Sequence, residues 1–210
     1  MIIRSIIFDF GGVILDIDPK LTIKAFEKLG VKELDVLEKP AFYEEIIFPL
    51  EKGTINESVF RNKIRNYVKL NLSDKQIDDA WNALLLTYKP KRIHLLEKIK
   101  KHYPIFLLSN SNIIHYHYFL KELTRQFGYT SFDQLFNKAY FSFLMNKIKP
   151  EKEIYETVIK AERLKPENTL FIDDRIENIM GAKECGLQTH FLKKTEDICD
   201  LFDRDGRLTE

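Results

Sequence analysis

Cysteine is scarce in this chain, and an excess of charge of either sign is missing. Of the 210 residues only Cys185 and Cys199 are cysteines, and they stand in no paired spacing. Two such thiols make neither a disulfide framework nor a zinc site, and they fit a reducing compartment. The 33 basic and 32 acidic residues leave a formal net charge of +1, so the electrostatic footprint of a nucleic-acid or anionic-membrane binder is lacking. No apolar run approaches the roughly 18 residues that a membrane span needs. The opening MIIRSIIFDF meets an acid at Asp9, too early for a secretion signal. Internal repeats and low-complexity segments are absent as well. The expectation is a soluble, cytoplasmic protein with neither nucleic acid nor membrane as partner.

What is present is globular. A hydrophobic share of 44% with 16 Phe and 9 Tyr suffices for one sizeable core, or one core plus a small accessory unit. Ser5 to Phe8 is a short Ile-rich apolar run of buried-strand type, ending at Asp9 with Gly11 and Gly12 behind it. From Pro19 to Tyr88 the pattern is helical and polar. Asp18-Pro19 starts a first helix that Gly30 closes, and Phe42 to Ile47 belongs to a second. Val59 to Val68 keeps helical spacing, and Ser73 with Gln76 forms a capping box. The helix behind that box is expected to carry Ile77, Ala80, Trp81, Leu84 and Leu85 on one face, with no strand in the whole insert.

Beyond Pro90 helices and strands alternate. The expected strands are Ile105–Leu108, a weaker Ala139–Ser142, Thr169–Ile172 and Gln188–Leu192. Strands separated by single helices imply right-handed crossovers and a parallel sheet. The fold class is α/β, a Rossmann-like parallel sheet flanked by helices with an inserted helical cap. Residues 1–17 and 90–210 are expected to form the core and 18–89 the cap.

Four strand ends carry polar groups: Asp9, Ser109-Asn110, Lys149 just beyond the third, and Asp173-Asp174. Parallel strands aim their carboxyl ends one way, and ligands of open α/β sheets bind there. Carboxylates crowded on one rim repel, and a hard cation with oxygen ligands, Mg²⁺ before Ca²⁺, relieves that. A hydroxyl, a helix N-terminus and a lysine supply donors for an anion beside it. Together these groups describe a phosphoryl site, with Asp9 as a competent covalent nucleophile.

The stretches FDFGGVILD, LLSNSN, KIKPEKEIY and FIDDRIENIMGA, in that order, resemble the four motifs of the haloacid dehalogenase (HAD) superfamily. The closest likeness is to its small sugar-phosphate phosphatases, and the helical insert sits where the superfamily carries its C1 cap. The resemblance implies Asp9 as the nucleophile that becomes an aspartyl-phosphate. It implies Ser109 bonding a phosphate oxygen with Asn110 beside it, and Lys149 pairing with nucleophile and phosphate. It implies Asp174 and the Gly11 carbonyl as Mg²⁺ ligands together with Asp9, and Asp173 as a neighbouring outer-shell or second-site acid. The substrate it implies is a small phosphorylated metabolite of the sugar-phosphate kind.

One position departs from the pattern. Most phosphatases of the superfamily place an acid–base Asp two residues after the nucleophile, and here that residue is Gly11. Positioned acid–base catalysis is worth about 10²–10⁴-fold, so slow, Mg²⁺-dependent monoester hydrolysis is expected, with Asp16, Asp18, a cap residue or water as the substitute donor. Two other readings follow from the same glycine: a metal-independent carbon–halogen hydrolase, and a non-catalytic phosphate-binding regulatory protein. The acidic pair Asp173-Asp174 speaks against the first. His115 is read as a packed histidine, Trp81 as cap core, and Asn178 equally as surface residue or ligand support. Phe42, Tyr43 and Phe48 are candidate specificity elements.

Overall fold

The computed structural model describes residues 2–32, 34, 37 and 39–209. Strand β1 (Ser5–Phe8) is buried along its length, and its neighbours on the two sides are β2 (Ile105–Ser109) and β4 (Thr169–Asp173). With β3 (Lys138–Phe141) and β5 (Gln188–Phe191) they form a fully parallel sheet in the order β3-β2-β1-β4-β5. Alternate side chains serve opposite layers, as the two-residue repeat of a strand requires. Ile6 and Phe8 face one cluster with Phe10, Leu107, Phe119 and Phe141. Ile7 faces the other, with Phe106, Tyr155, Val158 and Phe171. Chain order runs outward from β1 in one direction and resumes at β4 on its other side. The crevice between these strands is therefore the switch point where such sheets bind ligands.

The helices of the insert are α1 (Pro19–Lys28), α2 (Pro40–Phe42), α3 (Phe48–Glu51), α4 (Glu57–Val68) and α5 (Asp74–Asn82). A single π turn over Tyr43–Ile47 joins α2 to α3. Local signals set their starts: Asp18 caps α1 ahead of Pro19, Asn56 caps α4, and Ser73 and Gln76 cap α5 reciprocally. Their apolar faces meet in a third cluster around Phe26, Phe42, Phe60, Ile64, Ile77 and Trp81, which Ile114 also joins.

Around the sheet lie α6 (Pro90–Ile99), α7 (Ile113–Phe127), α8 (Phe132–Leu135), α9 (Ser142–Met145), α10 (Lys152–Ala161) and α11 (Ile176–Glu184). No helix among the described residues is long and apolar enough to cross a membrane.

Two expectations need correction. Helix α5 stops at Asn82, so Leu84 and Leu85 are not helical. Leu84 lies in a turn and Leu85 in a bridge against the start of the insert, with Asp18 N donating to Leu84 O at 2.9 Å and Leu86 N to Asp16 O at 3.1 Å. An antiparallel bridge pairs Ile17 with Leu85. The two crossings between sheet layer and insert lie side by side, and this backbone pairing overrides the helical spacing that the leucines share with α5. At the third strand, Ser142 is not a strand residue but the first of α9. Its hydroxyl donates to Glu51 O at 2.6 Å and accepts from Ser111 N at 3.0 Å.

That serine belongs to a seam between insert and sheet layer. Asn146 Nδ2 donates to Lys52 O at 3.2 Å and to Gly53 O at 3.3 Å, and Lys52 pairs with Glu151 at 2.8 Å. Gly53 has φ +72°, and a Cβ there would lie 2.1 Å from Phe143 O. A substitution therefore meets both a left-handed backbone and a carbonyl that cannot yield cheaply. Gly53→Ala is expected to destabilise the protein by more than about 1 kcal/mol. Urea unfolding reads this loss, and an unchanged midpoint would show the seam to be dispensable.

Candidate active site

Lys149 is the centre of the site. Its Nζ donates to Asp9 Oδ1 at 2.7 Å, to Asp173 Oδ2 at 2.7 Å and to Leu108 O at 2.8 Å, so all three ammonium donors are used. The lysine side chain is 1% exposed, that of Asp173 0% and that of Asp9 10%. Asp9 follows β1, Asp173 ends β4 and Lys149 arrives from the loop after α9, so three segments remote in sequence close on one ammonium. Burial opposes the charge on Lys149, but the two carboxylates hold its ammonium above the usual lysine range. Burial pushes the Asp9 carboxyl up, the lysine counters it, and repulsion from Asp173 and Asp174 adds to it. Asp9 Oδ2 has no hydrogen-bond partner among the described residues, which leaves one oxygen facing out of the ion pair.

Asp173 is fully occupied. Besides Lys149 it accepts from Asn178 Nδ2 at 3.0 Å on both oxygens and from Arg175 N at 2.8 Å. Asn178, half expected to be a surface residue, is buried and holds that carboxylate. The Lys149 loop is fixed in turn by Asn110, whose Oδ1 accepts from Lys149 N and whose Nδ2 donates to Lys149 O, both at 2.9 Å.

Asp174 points to the same rim. One oxygen each of Asp9, Asp173 and Asp174 lie within 4.8 Å of one another, the spacing of a group able to hold a metal ion. Burial and repulsion from Asp173 raise the Asp174 carboxyl. The backbone makes room for it at Gly12, where φ is +81° and a Cβ would stand 2.2 Å from Asp174 Oδ2. The donors are all oxygens, partly uncompensated and in a cradle that a side chain would fill. This set fits a hard divalent cation.

Ser109 ends β2 with a hydroxyl whose only hydrogen bond among the described residues is a long 3.4 Å approach to Asn110 O. Ser109, Asn110 and Gly11 line a cavity of about 310 Å³ that runs from the sheet rim into the insert. Tyr43 and Phe42 reach it from the insert; Phe48 is not among its lining residues. Trp81 is buried in the insert's cluster as expected, yet it also lines the cavity and stacks on His115 at 5.2 Å. His115 is packed: burial pushes its imidazole down to about 3, and its Nδ1 meets Asn82 Oδ1 at 2.8 Å.

The substitutes considered for the acid missing at Gly11 separate clearly. Against the burial that opposes its charge, hydrogen bonds from Lys89 and Arg92 hold the Asp16 carboxyl below the usual range. Asp18 caps α1 through Lys20 N. Neither lines the cavity. Glu51, at the end of α3, does. Burial pushes its carboxyl up to about 7, against the charges of Arg175 and Lys149. Its carboxylate has neither hydrogen bond nor ion pair among the described residues. Glu51 and Arg175 were not singled out in the sequence, because Glu51 is one of several acids in the insert and has no motif spacing.

Comparison with known proteins shows the family. Residues 3–186 match the family model described as haloacid dehalogenase-like hydrolase. The chain belongs to that family. It is 30% identical over 191 residues to the D-ribitol-5-phosphate phosphatase of Bacteroides thetaiotaomicron, covering 89% of this chain and 90% of that one. It is 23% identical to the sesquiterpene phosphatase astK of Aspergillus oryzae, over 88% of this chain and 87% of that protein. Among solved structures, the HAD family enzyme bt-2542 of B. thetaiotaomicron in complex with magnesium and inorganic phosphate superimposes with TM-score 0.86 at 34% identity. That match covers 96% of this chain and 100% of the other.

Two measurements test the electrostatics of this HAD-like site. Mg²⁺ at a hundred times its dissociation constant stabilises a folded protein by about 2.7 kcal/mol. Mg²⁺ is therefore expected to raise the melting temperature of the wild type and not of Asp174→Ala. The second concerns Glu51, whose folded carboxyl titrates near 7 against an ordinary 4.5. Below pH 4.5 both folded and unfolded chains hold the proton, whereas above 7 only the folded chain bears the burial penalty of the charge. Glu51→Gln is expected to be more stable than the wild type at pH 8, by on the order of 1 kcal/mol or more. The gain should vanish at pH 4. A pH-independent difference would contradict the burial of this carboxyl.

Proposed function

We propose that this chain is a Mg²⁺-dependent phosphomonoesterase that works through a phosphoryl group carried on Asp9. The observation that supports it most is the pairing of Asp9 Oδ1 with the buried Lys149 ammonium at 2.7 Å, which leaves the other oxygen of the nucleophile free. Asp9, Asp174 and the Gly11 carbonyl would hold the cation, with Asp173 behind them. The cation would neutralise the phosphate charge that otherwise repels a carboxylate nucleophile.

In the first half-reaction Asp9 Oδ2 attacks phosphorus and the bond to the alcohol oxygen breaks. The Ser109 hydroxyl donates to a phosphoryl oxygen, and the positive charge of Lys149 offsets the charge that gathers there. The departing oxygen needs a proton. We assign its delivery to Glu51, which lines the same cavity as Gly11 and Ser109 and whose raised carboxyl retains a proton near neutrality. In the second half-reaction the Glu51 carboxylate takes a proton from water, and the water oxygen bonds to phosphorus. Inorganic phosphate leaves and Asp9 is regenerated. Segment 18–89 acts in this scheme as a cap that excludes bulk water and brings its own acid to the site. D-ribitol 5-phosphate, named for the relative from B. thetaiotaomicron, marks the size of alcohol that such a cap admits.

Asp9→Asn is expected to abolish phosphate release, and EDTA to do the same reversibly. Glu51→Gln should slow alkyl phosphates by about 10²-fold or more, while p-nitrophenyl phosphate, whose leaving group departs without a proton, changes little. A Cβ at Gly11 would meet nothing closer than Ile17 Cδ1 at 3.5 Å, so an acid can be installed there. Gly11→Asp in the Glu51→Gln background is expected to restore turnover of alkyl phosphates. Equal losses on both substrate types, without rescue, would remove Glu51 from the mechanism.

A further inference from the structure

The cavity between insert and sheet is walled mostly by hydrocarbon. Beyond Ser109, Asn110 and Gly11 at its phosphate end, it runs between Leu15, Ile23, Phe26, Phe42, Trp81 and Leu84. The few polar groups there are largely committed elsewhere. Thr22 Oγ1 donates to Trp81 O at 3.2 Å, Asn110 is bound to the Lys149 backbone on both sides of its amide, and His115 Nδ1 is taken by Asn82. Tyr43, Glu51 and the Ser111 hydroxyl remain. A polyol placed here would strip several hydroxyls of water and find partners for only a few of them. Each hydroxyl left unpaired weakens binding roughly tenfold or more.

We infer that the alcohol released at this site is apolar, a hydrocarbon chain or ring. The inference rests on the proposed phosphomonoesterase activity and narrows it. It also separates this chain from the relative named for D-ribitol 5-phosphate, whose substrate is a polyol. The phosphate is held by the rim, and selectivity comes from burying the rest of the molecule. The cavity's hydrophobic wall then supplies binding in proportion to the apolar surface it covers, about fourfold in affinity per methylene.

The test uses the wild-type protein with Mg²⁺ and n-alkylphosphonates from ethyl to octyl as inhibitors of p-nitrophenyl phosphate hydrolysis. The inhibition constant is expected to fall about fourfold per added methylene until the cavity is full. In parallel, kcat/KM for n-hexyl phosphate should exceed that for D-ribitol 5-phosphate and for hexose phosphates by about a hundredfold. Inhibition independent of chain length, or a preference for the polyol, would overturn the inference while leaving the phosphatase reading intact. If p-nitrophenyl phosphate is not hydrolysed at all, that reading fails. The same phosphonate series measured by calorimetry then still decides the inference, because its affinity slope needs no turnover.

Discussion

A single buried ammonium holds this site together. Lys149 lies between Asp9 and Asp173, and without it two carboxylates taken out of water would face each other with no compensating charge. Removing one partner of such a buried cluster typically costs about 3–5 kcal/mol, because the remaining charges keep their desolvation penalty. Asp173 satisfies the cluster's geometry instead of its chemistry: two other donors, Asn178 Nδ2 and Arg175 N, fix it, so the lysine is held on one side and pairs with Asp9 on the other. The parallel sheet brings the ends of β1 and β4 side by side, and Asn110 pins the loop that delivers Lys149. The fold concentrates negative charge at one rim of the sheet and holds it there with one buried lysine.

The second constraint is the glycine two residues after Asp9. With no acid there, the proposed reaction needs a proton for the leaving oxygen from elsewhere, and the cavity offers a carboxyl from the opposite wall. Glu51 belongs to the insert, and its backbone carbonyl is the group that Ser142 grips across the seam. Closure of the insert onto the sheet and placement of the acid are thus one structural event. In the proposed reaction such an arrangement would tie proton transfer to a filled and dehydrated cavity, as a lid that completes a catalytic set does.

Much of this was legible in the sequence, for reasons that differ element by element. Strand β1 was readable because four buried residues end abruptly at a charge, and the capping box at Ser73 and Gln76 because its hydrogen bonds are local. The group around Asp9, Ser109, Lys149 and Asp173-Asp174 was readable because parallel topology sends every carboxyl end to one rim. What depends on contact between remote segments was not. Leu84 and Leu85 kept helical spacing, yet pairing with the chain around Ile17 draws them out of the helix. Ser142 looked like the end of a strand, and its bonds to Glu51 and Ser111 make it a junction. Glu51 itself carries no local signal, since its raised carboxyl comes from burial beneath a wall that other segments build.

The central claim is that Asp9 becomes covalently phosphorylated while Lys149 and the surrounding carboxylates hold it in place. Its most direct measurement is rapid acid quench of the enzyme during turnover with Mg²⁺, followed by mass spectrometry of its peptides. A hydroxylamine-labile phosphoryl group on the peptide containing Asp9 is the predicted result. Steady phosphate release with no phosphoryl-protein at any quench time, or a label on a different residue, would contradict the account.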